Sequence, residues 1–114
     1  MPVWPNRVKN KVEARLAALA LAGRTETYGA MARDLGLRMA ELTTLLEQMM
    51  AEDHARDCPF RAVLCEGRLA GGMPARGFFE AAEALGRDVS DPARFVAEER
   101  AALFSAAATG YVSR

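Results

Sequence analysis

The chain has 114 residues, half of them apolar and about a quarter charged, with a formal net charge of zero. That length suits one ordinary domain able to bury a core without staples. The balance excludes a disordered chain and a uniformly basic polyanion coat. The charge is uneven along the chain. Residues 1–24 set Arg7, Lys9, Lys11, Arg15 and Arg24 against Glu13, a net of +4. Residues 25–57 set Arg33, Arg38 and Arg56 against Glu26, Asp34, Glu41, Glu47, Glu52, Asp53 and Asp57, a net of −4.

Taken in chain order, Asn6 offers an N-cap, and Val8, Val12, Leu16 and Leu19 recur at helical spacing. A first helix is expected from about Arg7 to Ala22, with Trp4 as a hydrophobic anchor ahead of it. Thr25 or Thr27 caps a second, shorter helix whose apolar face is Tyr28, Met31, Ala32 and Leu35. Gly36 ends it in a left-handed conformation. A third helix runs from about Met39 to Asp53 on Leu42, Leu45, Leu46, Met49 and Met50. Two helices joined through Leu35-Gly36-Leu37 have the form of a helix-turn-helix.

Asp57-Cys58-Pro59 breaks the pattern, and Phe60–Cys65 reads as a strand. Glu66-Gly67-Arg68 reads as a turn, Leu69-Ala70 as a short returning strand and Gly71–Pro74 as loop. From Arg76 or Gly77, the residues Phe78, Phe79, Ala82 and Leu85 form an amphipathic helix closed by Gly86. Ser90-Asp91-Pro92 starts a last helix that carries Phe95, Val96, Glu99, Leu103 and Phe104 to about Ala107. Thr109–Arg114 is a tail. The expected fold is therefore mainly α (α+β). It is a single domain, 1–114, with a winged-helix-like three-helix core over about 7–74, a short β-hairpin, and a C-terminal helical pair over about 76–108.

The stretch TYGAMARDLGL, the third helix, PFRAVLCEGRLAGGMPARGFFEAAEALGR and DPARFVAEE together resemble a functionally unassigned family of small bacterial helix-turn-helix proteins, over residues 25–100. That resemblance implies a fold and no activity. More distantly, Thr27-Tyr28-Gly29, Pro59-Phe60-Arg61-Ala62-Val63 and Gly67–Gly72 are similar to the C-terminal domain of O6-alkylguanine-DNA alkyltransferases. This implies a winged helix. That family's Pro-Cys-His-Arg-Val motif is broken here: Cys58 precedes Pro59 instead of following it, and Phe60 takes the place of the activating histidine.

No catalytic residue is expected. The glycine loop lacks the Gly-Lys-Ser/Thr of a phosphate cradle and the spacing of a dinucleotide fingerprint, so it reads as a turn, with a nucleic-acid wing as the alternative. His54 with Asp53, Asp57 and Cys58 falls short of a closed metal set, and no cofactor is expected. Cys58 and Cys65, seven apart in an extended strand, fall on opposite faces. Glu80, Glu83, Glu98 and Glu99 are expected to face solvent or to pair with Arg94 and Arg100. With two cysteines, no leader and no long apolar run, the chain is expected in a bacterial-type cytoplasm and not in a membrane.

The function expected is that of a non-catalytic nucleic-acid-binding regulator. Arg38, Thr43 and Thr44 on the third helix, Lys9, Lys11 and Arg15 on the first, and Arg61, Arg68 and Arg76 around the hairpin are the candidate contacts. The acids of the third helix oppose that role, because affinity for nucleic acid rests on phosphate neutralisation. The alternative is a protein-interaction or dimerising adaptor, a homodimer included. For it Phe78, Phe79, Phe95 and Phe104, together with Met31, Met39, Met49, Met50 and Met73, supply the surface.

Overall fold

The computed structural model describes residues 4–109, with side chains from residue 7. The side chain of Trp4, the expected anchor, and the tail beyond Thr109 therefore lie outside what is described. Helix α1 spans Trp4–Ala22, so Asn6 sits inside it and is not its cap. A two-residue strand β1, Glu26–Thr27, leads directly into α2, Tyr28–Leu35. Thr27 caps α2 by accepting from the Ala30 N–H at 3.2 Å. Gly36, at φ +69°, ends it, and the Leu37 N–H reaches back to the Ala32 carbonyl at 2.8 Å. This is the left-handed stop expected of that glycine. After Arg38, helix α3 runs Met39–Ala55. The two expected helices and the short turn between them are present.

The hairpin is not. Arg61–Leu64 forms a short 3-10 helix, and only Cys65–Glu66 is extended, as β2. Strand β2 pairs with β1 in parallel, Glu26 opposite Cys65 and Thr27 opposite Glu66. The reason lies in distant partners for the backbone donors. The Phe60 N–H is taken by the buried Glu99 carboxylate at 2.9 Å and the Arg61 N–H by Asp53 at 3.0 Å. The Val63 N–H then folds back on the Phe60 carbonyl at 3.1 Å. Ala62, Val63, Leu64 and Cys65 are all buried, so no face alternates. Leu69 has φ +58°, which a strand does not allow, and no returning strand forms. The alternation expected to part Cys58 from Cys65 is likewise lost.

Helix α4 spans Arg76–Ala84 and α5 spans Pro92–Ala108. Asp91 caps α5, accepting from the Arg94 N–H at 3.3 Å, with Pro92 in the first turn. These two helices share the core of the first three. Phe78, Ala82, Phe95 and Val96 join Val12, Leu16, Met31, Leu42, Met49 and Leu64 in one buried cluster. Phe60, fully buried, stands edge-on to Phe78 at 6.1 Å and lies 6.3 Å from Phe95. The C-terminal pair therefore completes the core around the 3-10 helix and is no separate addition.

Candidate nucleic-acid interface

Burial of Leu42, Leu46, Met49, Met50 and Asp53 against the core turns the opposite side of α3 outward. That outer stripe is Ala40, Glu41, Thr44, Glu47, Gln48, Ala51 and Ala55, all exposed. Ala40, Ala51 and Ala55 are short and Thr44 and Gln48 carry both donors and acceptors, which suits close approach to base edges, while Glu41 and Glu47 only accept. Arg38 is exposed at its N-terminal end. Thr43 sits at the edge of the stripe, and its hydroxyl donates to the Met39 carbonyl at 3.1 Å.

The acids that opposed this face are largely engaged elsewhere. Glu41 accepts from the Arg38 N–H at 2.8 Å and so completes the first turn of α3, where a carboxylate also suits the helix dipole. Glu52 pairs with Lys9, which holds its carboxyl below the usual range despite partial burial. Asp53, buried, grips the Arg61 guanidinium at 2.9 Å. Burial works against the charge on Arg61, but Asp53 and Glu13, the latter at 3.1 Å, outweigh it and raise its pKa. Arg15 donates to Glu26 at 2.6 Å and to Asp34 at 2.5 Å, and its pKa is raised in consequence.

Those pairs also consume three expected contacts. Lys9, Arg15 and Arg61 tie α1 to α3, to β1 and α2, and to the 3-10 helix, and they are not presented to a ligand. Lys11, Arg38, Thr44 and Arg68 remain exposed. Arg76 is exposed beside Glu80 at 3.2 Å. A small apolar cleft joins the two halves of this surface. Thr43 and Glu47 of α3 line it together with Ala75 and Gly77 at the start of α4, over buried Tyr28, Met50 and Phe78. The Tyr28 hydroxyl accepts from the Ala75 N–H at 3.0 Å, and burial raises its pKa.

The phenylalanines expected at an interface are partly withdrawn. Phe78 and Phe95 are core residues, which corrects their assignment to a surface; Phe79 and Phe104 are half-buried against the core. Met31, Met49 and Met50 are buried as well, and Met39 is exposed. Glu98 pairs with Arg94 at 3.0 Å as expected, but Glu99 is buried and binds Arg87 at 3.2 Å. Arg100 instead donates to the Val63 carbonyl at 2.9 Å, and burial lowers its pKa. The residue after Pro59 is Phe60, a core side chain with no nucleophile, and burial pushes the Cys65 thiol up to about 12. Among the described residues no three His, Cys, Asp or Glu side chains converge on a metal-sized site. No described helix is long and apolar enough to cross a membrane.

No protein family, characterised protein or solved structure matches the chain.

Two features escape sequence reading. The Arg61 hub joins residues up to 48 positions apart, and only the spare charges of both signs hinted at it. Leu69, expected in a short returning strand, is 96% exposed at φ +58°.

Proposed function

We propose that this chain is a non-catalytic nucleic-acid-binding protein that reads duplex DNA with the outer face of α3. In this reading the helix-turn-helix and the loop 67–75 are a winged-helix variant, with a closed loop where a hairpin wing would stand. The observation that carries it is the stripe Ala40, Thr44, Gln48 and Ala51. It is exposed and built of small or bifunctional side chains, with Arg38 at its head and Glu41, Glu52 and Asp53 turned to structural work. Gln48 has the paired donor and acceptor that adenine presents in the major groove, and Glu47 offers an acceptor to the cytosine amino group. The adaptor reading loses Phe78, Phe95 and three methionines to the core.

The test is binding of a short labelled random-sequence duplex across a salt series. Affinity is expected to fall linearly in log K against log salt. Arg38→Ala and Lys11→Ala should each flatten that slope by about one unit. Absence of binding at low ionic strength overturns the reading.

A further inference from the structure

Leu69 is exposed more fully than any other large apolar side chain among the described residues, at 96%, and it holds φ +58°. The left-handed region disfavours a leucine relative to glycine. Exposure gives nothing back within the fold, so neither folding nor packing explains a leucine there. Backbone hydrogen bonds close the loop around it. The Gly67 N–H donates to the Met73 carbonyl at 2.8 Å, the Ala70 N–H to Gly67 at 3.2 Å and the Met73 N–H to Ala70 at 3.1 Å. Pro74 is buried, and Tyr28 anchors the next residue.

The loop tip is basic. Arg68 is exposed directly beside Leu69, whereas Arg76, where the loop enters α4, pairs with Glu80 at 3.2 Å. The base of the loop adjoins the α3 face. A Cβ on Gly67 would lie 3.8 Å from the Ala75 backbone, and Ala75 shares the cleft with Thr43 and Glu47.

We propose that Leu69 is an apolar wedge that enters a base step of the DNA duplex, with Arg68 beside it on the phosphates. This rests on the nucleic-acid reading of α3 and adds a deformation step to it. The backbone hydrogen bonds hold the tip in place, so insertion has mainly the leucine side chain left to order. Partial unstacking is the known use of such a side chain next to cations.

The test uses the full chain and duplexes carrying 2-aminopurine at successive steps, whose fluorescence rises on unstacking. Wild type is expected to raise the signal at one or two adjacent steps. Leu69→Asn and Leu69→Gly suit a left-handed backbone, so both should fold at least as stably as wild type. Both should lose the fluorescence rise and keep the salt slope. Binding by wild type with no rise at any step, or a rise that survives Leu69→Asn, overturns the wedge and leaves the α3 reading standing. No binding by wild type overturns both. A dimer that Leu69→Asn dissociates overturns the wedge in favour of contact with a second copy.

Discussion

At the scale of single residues, the decisive groups are buried polar ones that serve backbone. Glu99 is 8% exposed and holds both the Phe60 N–H and the Arg87 guanidinium, which lies 5.0 Å from the ring centres of Phe60 and Phe95. Glu99→Ala would strand a buried donor and a part-buried cation together. It should cost about 3 kcal/mol in urea unfolding. Glu99→Gln, which keeps an acceptor for Phe60, should cost clearly less; equal costs would mean the Phe60 bond contributes nothing. Cys65 is raised by burial from 9.0 to about 12, and Tyr28 is raised also, again by burial. A group raised in the folded state favours folding fully below its unfolded pKa and loses that contribution as pH climbs through the folded one. Stability should therefore be flat to about pH 9 and fall above it. Cys65→Ala, though less stable at neutral pH, should show a shallower alkaline fall. Both slopes are readable from urea midpoints.

Among elements, what the sequence declared most clearly is what carries its own boundary chemistry. Thr27 before α2, Gly36 after it and Asp91-Pro92 before α5 are local signals, and each stands where it was read. Gly36 illustrates the energetics. A Cβ there meets nothing within 4 Å, so Gly36→Ala tests the left-handed backbone alone. The cost should be about 1 kcal/mol, seen as a lower urea midpoint. No change would mean the turn between α2 and α3 relaxes freely. The 3-10 helix was illegible for the opposite reason. Phe60-Arg61-Ala62-Val63-Leu64-Cys65 is a short apolar run, and periodicity cannot separate a buried strand from a buried helical turn. The choice was made by Asp53 and Glu99, which occupy the Arg61 and Phe60 donors from 8 and 39 residues away. Those partners carry no local mark. The candidate interface divides in the same way. The outer stripe of α3 follows from its heptad-like apolar positions, so the exposure of Thr44 and Arg38 is legible in the sequence. The fate of Lys9, Arg15 and Arg61 depended on pairings across the fold.

For the whole molecule, the uneven charge of the sequence resolves into ion pairs that close the fold. The basic first segment and the acidic second one meet directly. Lys9 meets Glu52, and Arg15 meets Glu26 and Asp34, while Glu13 of α1 joins Arg61 with Asp53. Opposed net charges of +4 and −4 thus neither repel nor advertise a ligand surface; they select which helices lie side by side. These pairs are partly buried, so salt should screen them less than it screens exposed Arg38 or Arg68. Salt should accordingly weaken duplex binding at concentrations that leave the urea midpoint almost unmoved. Acid should destabilise too, at a different place, the join of α1 to α3. Glu52 lies below its ordinary 4.5 because Lys9 binds it, and Arg61 adds to the effect. A carboxylate depressed in the folded state stabilises above its unfolded pKa and loses that contribution as pH falls through the folded one. Wild type should therefore lose stability below about pH 4.5, before its helices melt in isolation. Glu52→Gln should lie below wild type at pH 7 and approach it by pH 3, where wild-type Glu52 is itself protonated. If the two curves stay parallel across that range, Lys9 and Glu52 meet without stabilising the join of α1 to α3. The docking of those helices would then rest on apolar packing such as that of Val12, Leu16 and Leu46 and on the Arg61 bridge between Glu13 and Asp53.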